Sequence, residues 1–419
     1  MLKIDGGQYS ATVIDKLVDA GASCCSFKEA ARVVKKQAGI AISPMQIARL
    51  TQRVGEELLV QREAQATQHR RGQLATPADQ PSVSIACVEV DGGRILTRAP
   101  ECGPGVHDEA WKESKIAALW KMSGPEFDQD PQPEPPQCFR DPERVRELVK
   151  GLKSSRELHA DGSPAIVAQQ PGSVPDEQPP PRQWPPQRIY RTCVGTLNDV
   201  YGFGPLVAAE AQRRGFYEAQ RQVFLGDGDA KNWTVHKLHF PHFTPITDFV
   251  HPVAYVYQAA GAITNSRAAQ WEQYDLWLTA LWQGRVTQVL AELAAWHARL
   301  GPPPKDAPDD DPREIVTSTL TYLTNNAPRM DYPAYRRCGL PITSCLVESL
   351  IKEFNRRVKG TEKFWNRPEG AEAILQVRAA QLSDGEPLTQ FIHHRPGQLH
   401  YRRSTPNSPT RSTATSQKT

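Results

Sequence analysis

The amino-acid sequence predicts an α/β protein with a wholly helical region at its N-terminus. Two short apolar runs, residues 83–90 and 222–225, each lead into an Asp and a glycine, as buried strands entering loops do. Elsewhere the apolar residues fall at helical spacing, most densely over 252–300. Residues 1–75 show helical spacing alone, with two helix-start signals.

Ser26 with Glu29 forms the first of these signals, a capping box. Phe27, Ala30, Ala31 and Val34 then share one helical face, and Gly39 ends the helix. Ser43, Pro44 and Gln46 start a second helix, whose buried side is Ile47, Leu50 and Val54. Such a pair is helix-turn-helix-like. Its second helix presents Gln46, Arg49, Gln52 and Arg53, types that read base edges and phosphates. A plain helical hairpin fits the same pattern.

Residues 64–80 read as a polar linker. The run 83–90 predicts a strand, Gly92-Gly93 a tight turn, and 94–98 a returning strand. Residues 111–122 fit a strand or a short helix. Residues 126–187 are proline-rich and predict an exposed insertion, interrupted by a short helix near 142–152. Order returns near Ile189. A helix is expected over 206–214, a strand over 222–225, and helices over 252–300, 313–325 and 344–358, with nothing regular after 390.

The net charge of +3 excludes no partner class, but its distribution is uneven. Residues 1–75 hold eleven Lys/Arg and seven Asp/Glu, residues 126–187 hold seven and eleven, and 393–419 hold five and none. Basic ends around an acidic middle suit a polyanionic partner. The eight cysteines form no Cys-x-x-Cys pair, which argues against a zinc ribbon or a disulfide framework. No signal peptide or membrane-length apolar run is present, so a soluble, reducing compartment is expected. Without a Walker A sequence or a Gly-x-Gly-x-x-Gly after a strand, ATP and dinucleotide chemistry have no support.

Three acids could carry chemistry. Asp91 precedes two glycines, Asp227 lies between glycines after an apolar strand, and Glu348 lies beside an apolar helical face. Each has an ordinary reading: a hairpin turn, an Asp bonding its own backbone (with Asp229 as a competitor), and an i,i+4 ion pair with Lys352. As a set, carboxylates from separate elements are what a two-metal phosphoryl-transfer site requires. Arg356, Arg357, Lys359, Lys363 and Trp365 follow Glu348 and offer phosphate clamps and a base-stacking ring. A solvated basic face with an aromatic anchor is the alternative. His236, His239 and His242 have the wrong spacing for a helical zinc pair, and Pro241 interrupts them.

Taken in order, Val90-Asp91-Gly92-Gly93-Arg94, Leu225-Gly226-Asp227-Gly228, Asp248-Phe249-Val250-His251 and Gly339-Leu340-Pro341-Ile342 leading into Val347-Glu348-Ser349 resemble the ISKra-type insertion-sequence transposases of bacteria, and in pattern the Mutator-like group. Asn355-Arg356-Arg357-Val358-Lys359-Gly360 through Phe364-Trp365, the segment 373–378 and Arg395-Pro396-Gly397 extend the likeness, which spans about 80–403. Cys345 stands where a small residue is expected.

The resemblance implies an RNase H-like catalytic core with a helical insertion and a DDE triad on Asp91, Asp227 and Glu348, holding Mg²⁺ with Mn²⁺ as substitute. Asp248 and His251 would shape the site. It implies DNA as partner, both element terminal repeats and target, a homodimer pairing two ends, and a bacterial cytoplasmic setting. The corresponding division is 1–75 helical DNA-binding region, 80–125 first part of the core, 126–187 insertion, 188–260 second part, 261–335 helical insertion, 336–390 catalytic helix and basic segment, and 391–419 disordered tail. An RNase H-like nuclease that does not join strands, a catalytically inactive element-derived DNA-binding protein, and a helical scaffold are the competing expectations.

Overall fold

The computed structural model describes residues 9–76, 83–98, 109–157 and 184–343, then Leu350, Glu353, Phe354, Arg356, Arg357, Val358, Trp365 and residues 367–395. It is an α/β protein around one mixed sheet of five strands in the order β3-β2-β1-β4-β5. The strands are β1 (Ile85–Arg98), β2 (Glu109–Ser123), β3 (Gln187–Thr196), β4 (Arg221–Gly226) and β5 (Thr244–Thr247). β2 is antiparallel to both β1 and β3, whereas β4 and β5 run parallel to β1.

Three N-terminal helices open the chain: α1 (Ala11–Ser23), α2 (Phe27–Ala38) and α3 (Pro44–Arg70). The start signals act as read. The Ser26 hydroxyl accepts from the Glu29 amide at 3.1 Å, Ser43 accepts from Gln46 at 3.2 Å, and Gly39 closes α2 in the left-handed region at φ 68°. Helix α3 continues through the expected linker to Arg70, and Ala66 near its end is buried in the smaller of the two cores beside the sheet.

The predicted turn at Gly92-Gly93 does not form. β1 runs straight through to Arg98 and pairs with β2 along its whole length, Asp91 opposite Ile116 and Arg98 opposite Glu109. Neither glycine takes the positive φ that a two-residue hairpin turn demands. A continued ladder satisfies each backbone group, which a turn at 92–93 would leave to solvent. The 111–122 ambiguity resolves as strand β2.

Two cores flank the sheet. Ala86, Val88, Val90 and Phe224 face one, covered by α5 (Val200–Arg213) and α6 (Ala230–His239). Ile85, Cys87, Val223 and Leu225 face the other. That larger core gathers α7 (Val250–Ile263), α8 (Arg267–Trp282), α9 (Val286–Leu300), α10 (Pro312–Asn326) and α11 (Tyr332–Arg337), with Leu350, Phe354 and Val358. A third core joins α1–α3 to α12 (Pro368–Gln381) and α13 (Pro387–His394), so the N-terminal helices pack on the C-terminal ones.

Helix α12 and the loop after it cover edge strand β3. Glu372 accepts from the Leu197 amide at 2.6 Å, the Ser383 hydroxyl from Cys193 at 2.9 Å, and the Asp384 carboxylate from Arg191 at 2.8 Å. Unpaired edge amides are thereby closed to other strands.

Two further expectations change. Of the insertion expected to be exposed, Phe139, Val145, Val149 (the latter two on α4, Pro142–Glu157) and Trp184 are buried in the large core. Asp130 pairs with Arg336, which lies fully buried over Trp282. Prolines exclude regular structure but leave aromatic side chains free to pack. Residues 158–183 lie outside the described residues. The expected tail begins ordered: Ile392 is buried, and Arg395 makes a two-bond ion pair with Glu57 at 2.6 and 2.7 Å.

Candidate functional site

Side chains alternate along β1, so Ile85, Cys87, Glu89 and Asp91 share the face of the large core. The Trp120 indole confirms this for Glu89, donating to its carboxylate at 2.9 Å. On β4 the same face carries Val223 and Leu225, and position 227 continues that row. The parallel register ends at Val90 opposite Gly226. One residue further on each strand come Asp91 and Asp227. Neighbouring strands lie about 4.8 Å apart, so these acids stand side by side where the parallel pairing ends.

The row extends to a third strand. Gly226 also pairs with Thr247 of β5, and the Asp248 amide donates to the Gly226 carbonyl at 2.8 Å. Asp91, Asp227 and Asp248 therefore follow the last paired residues of three adjacent parallel strands. β1 differs from the other two, because it passes through the site and continues beside β2.

Their local contacts separate the three acids. Asp91 is part-exposed and takes the Gly92 amide at 2.5 Å. Asp227 accepts from the Asp229 amide at 2.9 Å and from Asn232 Nδ2 at 2.8 Å, which fixes it at the start of α6. Asp229 caps α6 through the Lys231 amide at 2.7 Å, so this competitor is a helix cap. Asp248 is fully buried, accepting from the Val250 amide at 3.3 Å, with His251 Nε2 at 3.5 Å. The expected Asp248–His251 pair thus exists, and it braces the entry to α7.

The helical insertion holds the strand ends. Tyr322 of α10 donates its hydroxyl to the Asp227 carbonyl at 2.8 Å, and Tyr332 of α11 donates to the Thr247 carbonyl at 3.0 Å. Burial pushes both phenols well above their ordinary pKa, which keeps them protonated as donors. Gly228, at φ 100°, has no room for a Cβ, which would lie 2.6 Å from Tyr322 and 2.8 Å from Asn326. On the opposite face of the sheet from Asp91, Glu113 bonds both Lys115 (2.9 Å) and Lys231 of α6 (3.1 Å). Partial burial raises the Glu113 pKa, but the two ammonium groups outweigh it and leave it lowered. The tyrosines and the Glu113–Lys231 contact escaped sequence reasoning because contact across 85 residues or more leaves no local pattern.

Glu348, Lys359 and Lys363 lie outside the described residues. Leu350, Phe354 and Val358 form a buried stripe at i, i+4 and i+8 in the large core, on the same sheet face as Asp91. Arg356 is exposed.

Two residues expected on DNA are turned inward. Arg357 is 4 % exposed, donates Nε to the Gly21 carbonyl at 2.9 Å, and sits over the rings of Phe27 and Trp365. Burial and, secondarily, the nearby Arg378 guanidinium lower its pKa to about 10. Trp365 bridges to β1, exchanging backbone bonds with Leu96 and Arg98 at 3.0 Å, and its indole donates to the Val358 carbonyl at 2.8 Å. A long amphipathic side chain gains packing where α1 and α2 meet this segment, which spacing cannot reveal. Arg49 and Arg53 are exposed on α3 and Gln46 is part-exposed. His236 bonds the Phe243 carbonyl at 2.8 Å and packs on Phe224, a structural placement.

Among the described residues no group of three or more His, Cys, Asp or Glu side chains is gathered closely enough to hold a metal. Asp91 and Asp227 offer hard oxygen donors of the kind Mg²⁺ prefers. No described helix is long and apolar enough to cross a membrane. The chain matches no protein-family model and no curated protein.

Proposed function

We propose that this chain is a DDE-type DNA transposase with an RNase H-like core, cleaving the ends of a mobile element and joining them to target DNA. The observation that supports this most directly is the register that brings Asp91 and Asp227 to adjacent parallel strand ends on one sheet face. The two acids are 136 positions apart in the chain, and phosphoryl transfer is a chemistry that uses such convergence. The strand order β3-β2-β1-β4-β5, with β2 antiparallel to its neighbours, supports an RNase H-like reading.

In this reading Asp91, Asp227 and Glu348 hold Mg²⁺. Bound there, the cations would acidify an attacking water or DNA 3′-hydroxyl and would offset charge at the departing oxygen. Tyr322 and Asn232 fix Asp227, so its oxygens need no reorganisation. Gln46, Arg49 and Arg53 recognise the element end, and a homodimer holds two ends together.

The test is an assay of cleavage and joining on labelled DNA that flanks the reading frame, with Mg²⁺. Wild type is expected to yield cut and joined products, and Asp91→Asn to lose both by at least roughly 100-fold. Cut product without joining selects the nuclease reading. Equal activity of wild type, Asp91→Asn and Asp227→Asn sinks the enzymatic assignment.

A further inference from the structure

A cavity of about 440 Å³ opens between the start of α4 and the junction of α7 with α8, on the helical side of the molecule. Its volume lies in the range of small-ligand sites, roughly 300–1,000 Å³. Arg146, Arg267, Tyr257, Trp271 and Gln270 line it, and among the described residues no carboxylate does. Neither arginine has an ion-pair or hydrogen-bond partner among the described residues. Two cations without counter-charge around a concave site favour an anion. The aromatic residues add a planar, apolar preference.

The walls are fixed. The buried Tyr274 ring lies 5.1 Å from Trp271 and 5.3 Å from Tyr257, and its hydroxyl donates to the Phe139 carbonyl at 2.8 Å. Arg140, just before α4, clamps α8 through Asp275 at 2.9 Å and Thr279 at 3.1 Å. Gln270 donates to the Tyr257 carbonyl at 3.2 Å, joining α8 to α7. These contacts position the rings and the arginine-bearing backbones before any ligand arrives.

We infer that this cavity binds an unpaired nucleotide, its base against Trp271 and Tyr257 and its phosphate with Arg146 and Arg267. A flat apolar group carrying a negative charge matches both halves of the lining. Duplex DNA hides its base faces, so the site selects a nucleotide out of the stack, whether free or within a single strand. Along α7, the nine residues from Asp248 to Tyr257 rise about 13 Å. A strand lying at the acids therefore reaches the cavity within a few nucleotides. The inference extends the proposed function to a second DNA contact, yet it concerns binding alone and requires no catalytic step.

The experiment measures anisotropy of a short fluorescein-labelled single-stranded DNA in EDTA, with its blunt duplex and free AMP as competitors. EDTA removes cleavage, so failure here is separable from failure of the catalytic reading. Wild type should bind the single strand in preference to the duplex. Trp271→Ala should weaken single-strand binding roughly 5- to 100-fold, with Trp271→Phe retaining most of it. Arg146→Ala combined with Arg267→Ala, both exposed and safe for folding, should also weaken it at least tenfold and flatten its salt dependence. Competition by AMP that depends on Trp271 identifies the free nucleotide as the source, and its absence identifies the strand. Photocrosslinking of a 5-iododeoxyuridine strand should label Tyr257 or Trp271. Unchanged affinity in the arginine double variant, equal loss for Trp271→Phe and Trp271→Ala, or crosslinks only elsewhere would overturn the inference.

Discussion

The end of the parallel strands and the segment around 356–365 began as similar claims. Each was a short run of charged residues to which a chemical task could be given. At the strand ends the fold brings Asp91 and Asp227 into neighbouring register, one residue beyond the last pair. In the other segment it buries Arg357 against Phe27 and Gly21 and spends Trp365 on extending β1. The difference lies in what surrounds each residue. Asp91 and Asp227 carry little apolar surface and keep their carboxylates on nearby amides, whereas Arg and Trp have large apolar surface that packing can use.

The largest expected effect tests the first half of this contrast. Asp227→Asn should reduce DNA cleavage by at least roughly 100-fold while its thermal midpoint stays near wild type, because its bonds to Asn232 and the Asp229 amide can be kept by an amide oxygen. A collapse of the midpoint alongside activity would make Asp227 a structural turn residue.

Arg357→Ala should do the reverse. Chemical denaturation should show a loss of about 2–4 kcal/mol, with DNA affinity of the folded fraction unchanged. A selective loss of affinity at unaltered stability would return Arg357 to the DNA surface.

Next comes Gly55→Ala on α3. An added Cβ would stand 2.2 Å from the Ala373 carbonyl on α12, so the two helices must separate. About 1–3 kcal/mol should be lost in the same denaturation measurement. No loss would mean that the N-terminal helices are not held on α12 as described.

Tyr322→Phe removes only the bond to the Asp227 carbonyl. Stability should fall by about 1 kcal/mol, with a smaller drop in cleavage than Asp227→Asn gives. An equal drop would promote the tyrosine to a direct role.

The smallest effect is on pH dependence. Burial raises the Glu210 pKa, but Arg213, Arg214 and Arg62 outweigh it and hold the carboxyl below its ordinary 4.5. A lowered folded-state pKa means that the ionised group stabilises the fold above the unfolded value, and that this is lost as pH falls through the lowered one. The midpoint difference between wild type and Glu210→Gln should therefore be widest near neutrality and shrink below pH 4.5. A constant difference would show that charge at Glu210 is not what matters.

Local chemistry was legible wherever a few consecutive residues decide the outcome. Ser26, Ser43 and Gly39 set helix ends because their partners lie within four residues. Residues 92–93 were misread for the opposite reason: a Gly-Gly pair permits a turn, yet the ladder with β2, supplied from Glu109 onward, decides against one. The buried aromatics of the proline-rich segment were missed in the same way, since Phe139 meets Phe249 110 positions away and Trp184 meets Trp282 98 positions away.

The sequence by itself determined the α/β class, the helix starts and the candidate acids Asp91 and Asp227. These follow from spacing, caps and the shift from apolar run to polar turn, which are properties of neighbours in the chain. Only the tertiary structure decided that these two acids share an edge, that Asp248 joins their row yet is buried, and that Arg357 and Trp365 serve packing. Register and burial are set by the free energy of long-range contacts, and one strand can carry the same residues into or away from a site according to the partner beside it.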